Sequence, residues 1–184
     1  MFKKYLFLLS ILSSFLFLGC SDSEKSDAND MISANQYVLT ALDKKEYVVR
    51  KEAQGFVLKG AEGKVVIFDI FATWCPPCRA AAPHLSSLQE KYKDDLIIIG
   101  ITIEEGIEDA KLKEFAQTYG AKYTLVNSAQ NRNLTSAIIK ELELGDRFPI
   151  PTMAMYKDGK LINHYVGATE EEFIDSDIRN ALGK

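Results

Sequence analysis

The sequence predicts an α/β domain built on a mixed central β-sheet with helices on both faces. Three observations predict it. Two nearly uninterrupted apolar runs, Val65–Phe71 and Leu96–Ile103, read as central strands covered on both sides. Segments with helical periodicity alternate with strand patterns, as in strand–helix–strand units. Two further strand patterns then flank Asp158-Gly159, a hairpin turn pair, and a last helix follows them.

In chain order, Gln36–Leu42, Glu46–Glu52 and Phe56–Leu58 carry short strand patterns ahead of Val65–Phe71. Pro76–Tyr92 reads as a helix. Pro76 and Pro77 fit its first turn, where amide hydrogens have no helical acceptor, and Pro83 inside it predicts a kink. After Leu96–Ile103, the positions Leu112, Phe115, Ala116 and Tyr119 give a helix over Ile107–Tyr119, which Gly120 ends. Tyr123–Val126 is a short strand and Arg132–Leu142 a helix stopped near Gly145. Thr152–Tyr156 and Leu161–Val166 are the hairpin strands. Thr169 is expected to cap the last helix, with Glu172 completing a capping box.

Composition sets the scale. The chain has 184 residues, 47 % hydrophobic and 26 % charged, which suits one ordinary core plus a short extension. A net charge of -4 without a basic stripe speaks against a nucleic-acid partner, because phosphates need a positive face. There is no sign of an oligomer interface, so a monomer is expected.

The extension is N-terminal. Lys3 and Lys4 precede an apolar run from Tyr5 to Leu18. That run is shorter than the roughly 20 residues of a membrane-spanning helix and reads as the core of a secretory signal. It ends in Phe17-Leu18-Gly19-Cys20, which resembles a bacterial lipobox with Phe17 where Leu is usual. The resemblance implies a signal peptide over residues 1–19 and a lipid on Cys20. Residues 20–35, polar and acidic, then form a tether, and residues 36–184 form the domain. Each acyl chain adds about 0.8 kcal/mol per buried CH₂, so a multiply acylated Cys20 holds the chain to a membrane. The place implied is the bacterial cell envelope, with the domain facing the periplasm.

Trp74-Cys75-Pro76-Pro77-Cys78 carries the strongest chemical signal. It lies between a buried strand and a helix start. The positive end of a helix stabilises a thiolate there, and two intervening residues let a disulfide close within one turn. Cys75 is expected to be the more exposed sulfur and the nucleophile, with Cys78 resolving the mixed disulfide. A zinc site needs four ligands. With Cys20 lipidated, His84 and His164 stand isolated and read as a helix-face or strand residue instead of a ligand, so neither a metal nor another cofactor is expected. A purely structural disulfide is disfavoured because the loop it closes is too small to stabilise much.

Two further features accompany the pair. Asp69 sits in an apolar strand six positions before Cys75. A carboxyl buried there binds its proton more tightly and can exchange one with Cys78 through a water. Phe148-Pro149-Ile150-Pro151-Thr152 immediately precedes a strand. A cis bond before Pro151, with Pro149 as the rival candidate, exposes the Ile150 backbone for pairing with an extended substrate.

Phe68 to Cys78 resembles the active-site segment of thioredoxins, and Ile150-Pro151-Thr152 resembles their cis-proline loop. The longer stretch between them is similar to the central insertion of the TlpA/ResA group of extracytoplasmic thioredoxin-like proteins. This resemblance covers roughly Glu46 to Leu182. It implies a thioredoxin-like fold, with Cys75 attacking, Cys78 resolving, Trp74 shielding the site, Asp69 as the buried carboxylate and Pro151 cis. Trp74, Pro76, Ile150 and Pro151 would meet the substrate. It also implies a reductase of disulfides in exported proteins, apocytochrome c among them, with electrons from a membrane donor of the DsbD or CcdA type. Members acting in cytochrome c maturation commonly carry Glu three positions after the second Cys. Ala81 stands there in this chain, a departure that bears on the client.

Other functions remain open at this level. A thiol oxidase or isomerase uses the same pair at a different potential. A thiol peroxidase on this fold has Thr three positions before the attacking Cys, where this chain has Ala72. A copper carrier needs wider Cys spacing and a distant His, for which only His164 is available.

Overall fold

The computed structural model describes residues 35–184. Residues 1–34, where the sequence suggests a signal peptide, a lipidated Cys20 and most of a tether, lie outside the described residues. The first three strands, β1 (Gln36–Thr40), β2 (Glu46–Glu52) and β3 (Gly55–Leu58), form a small antiparallel sheet. The main sheet uses β4 (Val65–Phe71), β5 (Leu96–Thr102), β6 (Thr124–Val126), β7 (Thr152–Lys157) and β8 (Lys160–Val166). Their order is β6-β5-β4-β7-β8. β5 runs parallel to β4 and β6, whereas β7 is antiparallel to β4 and β8. The helices are α1 (Pro76–Lys91), α2 (Asp109–Tyr119), α3 (Asn131–Glu141) and α4 (Glu171–Leu182). This is a thioredoxin-like α/β fold with a mixed sheet.

Every residue of β4 is buried, because both faces of the sheet are covered. Val65, Ile67 and Phe71 pack with Leu85 and Leu88 of α1, Phe115 of α2 and Ile178 of α4. Val66, Phe68 and Ile70 point the other way, towards Leu134 and Ile138 of α3 and towards Leu39, Val49 and Phe56 of the small sheet. Phe71 and Phe115 stack with ring centroids 4.9 Å apart. The strand period of two thus divides one apolar run between two cores.

The hairpin turn is formed as the sequence predicts: Asp158 and Gly159 both have positive φ, 48° and 79°, as a two-residue type I′ turn requires. α1 continues through Pro83. Several boundaries shift by one residue, and three differences have a visible cause. β1 stops at Thr40 instead of Leu42, because the chain turns back as the Lys44 amide donates to the Ala41 carbonyl. α2 starts at Asp109 instead of Ile107; the Ile107 carbonyl is taken by the Asn127 side chain at 2.8 Å and so does not enter the helix. α4 is capped by Glu170 without a side-chain bond, not by Thr169. Its first residue, Glu171, reaches across to accept from Ser87 and to pair with His84 of α1. Tertiary partners therefore replace the capping box.

The first half of β5 extends beyond β6, whose pairing begins at Ile99. The Gln89 side chain of α1 lies alongside this stretch. Its Oε1 accepts from the Ile98 amide and its Nε2 donates to the Leu96 carbonyl, both at 2.8 Å. Among the described residues, no helix is long and apolar enough to cross a membrane.

Candidate active site

From the end of β4 the chain passes through Ala72, Thr73 and Trp74 into α1. Cys75 is the N-cap of α1, and Pro76 and Pro77 fill its first positions. Cys75 and Cys78 are joined as a disulfide, with Cα atoms 5.3 Å apart. The Cys75 sulfur accepts from the Cys78 amide at 3.3 Å, so an otherwise orphaned N–H of the helix start faces it. The same sulfur lies 3.6 Å from the Ile150 carbonyl oxygen. A disulfide sulfur carries no hydrogen, so this contact becomes a hydrogen bond only when Cys75 is a thiol.

The Ile150–Pro151 bond is cis. Its loop is held by Thr152 Oγ1, which donates to the Pro149 carbonyl at 2.6 Å, and by the Gly167 amide, which donates to the Pro151 carbonyl at 2.8 Å. The structure thus brings Cys75, Cys78, Ile150 and Pro151 together. Trp74 and Pro76 stand exposed at the rim, and Ile150 is half-buried. Cys75 does not stand out as the more exposed of the pair: both residues are buried, Cys75 at 2 % and Cys78 at 3 % exposure. As helix cap, Cys75 sits beneath the loop that carries Ile150.

Asp69 is 2 % exposed and shares its face of the sheet with both cysteines. Its Oδ2 accepts from the Tyr123 hydroxyl at 2.9 Å, and its Oδ1 has no partner among the described residues. Burial pushes the carboxyl from 3.8 up to about 7, against a downward pull from Tyr123. Burial also raises the Tyr123 hydroxyl well above its ordinary value of 10, with the Asp69 charge adding to the effect. Tyr123 therefore keeps its proton and remains a donor. Ala81 is buried, and no carboxyl occupies its place.

The redoxin family profile matches residues 27–182. The chain belongs to the redoxin family. Its relatives include the thiol-disulfide oxidoreductase ResA of Bacillus thuringiensis (strain Al Hakam), 29 % identical over 144 residues, a match spanning 72 % of this chain and 78 % of that protein. Thioredoxin of Bacillus subtilis (strain 168) is 27 % identical over 135 residues, spanning 73 % of this chain and 98 % of its own. Among solved structures, a thiol:disulfide interchange protein of Chlorobium tepidum TLS superposes with a TM-score of 0.63 at 23 % identity, covering 81 % of this chain and 94 % of its own, which shows the shared fold. Family membership together with the Cys75–Cys78 disulfide makes this redoxin a thiol–disulfide oxidoreductase.

Sequence reasoning passed over four residues of this redoxin that shape the site. Glu104, just past β5, accepts from the Thr73 amide at 2.6 Å and from the Thr73 hydroxyl at 3.0 Å. Arg79 of α1 donates to the Thr73 carbonyl at 2.7 Å while its guanidinium lies over the Tyr119 ring. Thr73 is thus held from both sides, one residue before Trp74. Tyr123 and Ser86 complete the set; Ser86 Oγ accepts from the Lys122 amide at 2.8 Å and donates to the Gly120 carbonyl. The position of Glu104 at the carboxyl end of a parallel strand is the one signal that could have marked it. Beside this clamp a cleft of about 1480 Å³ opens, lined by Glu104, Arg132, Thr135 and Phe148 among others, and by neither cysteine.

Proposed function

We propose that this protein is a lipid-anchored, extracytoplasmic reductase of disulfides in exported proteins. The observation that carries the reading is the Cys75 sulfur, seated at a helix N-terminus against the Ile150 carbonyl, on the same face as a buried carboxyl. In the reduced state, the Cys75 thiolate attacks one sulfur of a client disulfide. The other client sulfur leaves as a thiolate, and Cys75 is joined to the client. Cys78 then yields its proton to Asp69 and attacks the Cys75 sulfur. The second client sulfur departs, the client has gained two electrons, and Cys75–Cys78 is a disulfide. A membrane donor of the DsbD or CcdA type restores the dithiol.

In this reading Ile150 and Pro151 pair with the extended client, and Trp74 and Pro76 meet it at the rim. The cleft beside Glu104 and Phe148 has room for a polypeptide. Cys20 carries the anchor, residues 20–35 let the domain reach clients from the membrane, and the domain works as a monomer. Apocytochrome c is one candidate client, with Asp69 serving where related proteins use a Glu at the Ala81 position.

The reduction potential tests the direction. A value near that of thioredoxin, about −270 mV, supports the reductase; a value near that of DsbA, about −120 mV, sinks it in favour of an oxidase or isomerase. Cys75→Ser abolishes exchange altogether. Cys78→Ser accumulates client mixed disulfides on Cys75, and their absence would remove the assigned order of attack.

A further inference from the structure

Tyr123 belongs to the inserted segment between α2 and β6, not to β4 or α1, yet its hydroxyl meets Asp69 in the centre of the sheet. To reach it the ring must pass over β5. Asp69 is registered against Gly100 of β5. A Cβ at Gly100 would lie 2.7 Å from Leu125 Cδ2, 2.9 Å from Tyr123 Cε2 and 3.2 Å from Phe71 Cε1. A missing side chain therefore makes the slot through which the phenol runs. The segment leading into Tyr123 is fixed as well, because Ser86 of α1 bonds both Lys122 and Gly120. The helix that begins with the cysteines thus also aims the phenol.

We propose that Tyr123 is the positioning residue of Asp69: led through the Gly100 slot, its hydroxyl holds one carboxyl oxygen and leaves the other free for the proton of Cys78. This rests on the proton-acceptor role proposed above for Asp69. Among the described residues, Asp69 is the one buried carboxyl, and no buried Lys, Arg or His accompanies it. The elements packed against its face present Leu112 and Phe115 from α2, Ile174 and Ile178 from α4, and Met153 from β7. The titratable groups there are Cys75, Cys78 and Tyr123. Tyr92 and Tyr165 share the core but turn their hydroxyls to Asp175 and Asp177. Tyr123 is thus the group that offsets burial of the carboxylate, and without it Asp69 holds its proton to higher pH.

The test follows reduced protein reacting with an aromatic disulfide that releases a coloured aryl thiolate. Attack by Cys75 releases the first equivalent, and attack by Cys78 the second. Carbon-13 NMR of the Asp69 carboxyl, assigned with Asp69→Asn, reads its titration directly. In Tyr123→Phe, which keeps the ring, the Asp69 midpoint rises by about 1 pH unit, the equivalent of one lost hydrogen bond to a charged group. The pH profile of the second release moves up with it, while that of the first does not. In an Asp69→Asn background, Tyr123→Phe moves neither profile. An unmoved Asp69 titration in Tyr123→Phe overturns the positioning role alone. A moved titration with an unmoved second release overturns the proton-acceptor role of Asp69, and the proposal falls with it.

Discussion

Strand β4 sends Phe68 and Ile70 to one face of the main sheet and Asp69 to the other. The first face meets α3 and the small sheet through apolar side chains such as Phe56, Leu134 and Tyr156. The second meets α1, α2 and α4, and within it lie the disulfide, a carboxyl and a phenol. Both faces are equally dry. They differ in that one is mainly apolar packing, with the Tyr156 hydroxyl donating to Glu141, whereas the other contains a group whose charge is unwelcome there. The first face can be optimised for stability. The second trades stability for a proton site that titrates near neutrality.

Truncating Phe68, which is fully buried on the first face, opens a cavity. Phe68→Ala is expected to cost about 3–5 kcal/mol in urea unfolding while leaving the pH profile of thiol exchange in place. Asp69→Asn acts in the opposite sense. The folded-state carboxyl binds its proton up to about pH 7 against an ordinary 3.8. Wild-type stability therefore falls as pH rises through that window, because the folded protein binds the extra proton. The variant escapes this fall. It should gain up to about 4 kcal/mol over wild type at pH 8 and little near pH 4, at about 1.4 kcal/mol per pH unit. Equal gains at both pH values would break the contrast between the two faces.

Glu104→Ala tests the edge of the second face. It strips the Thr73 amide of its acceptor and should cost about 1–3 kcal/mol, together with a slower first exchange step measured by stopped flow. Arg132, paired with Glu105 on the open surface, belongs to neither core. Arg132→Ala should change the unfolding free energy by less than about 0.5 kcal/mol. A larger loss there would mean that the α3 side carries more than packing.

The fold was readable because its signals are local. β4 and β5 are apolar runs of strand length, Asp158-Gly159 announces its turn, and Cys75 to Cys78 span a helix start. Asp69 stood out as a lone charge in an apolar strand. The partners of these residues were not readable. Tyr123, just ahead of a short strand, looks in sequence like any core aromatic, and its bond to Asp69 joins residues 54 positions apart. Glu104 and Thr73 are 31 apart. Thr169 failed as a cap for the same reason, since the start of α4 answers to His84 and Ser87 on another helix. Cys75 looked exposed because it is the N-terminal sulfur of the pair, with Cys78 one turn into the helix, whereas the loop that covers it arrives 75 residues later.

The Gln89 side chain has a consequence for solution behaviour. A parallel neighbour of β5 would place one residue opposite Ile97, donating to Leu96 and accepting from Ile98. The Gln89 amide makes both of those bonds from a helix. The Leu96-Ile97-Ile98 stretch, apolar and rich in β-branched residues, is thereby denied to the edge of another chain. An amide on α1 thus acts as a guard against self-association where β6 is too short to cover its neighbour.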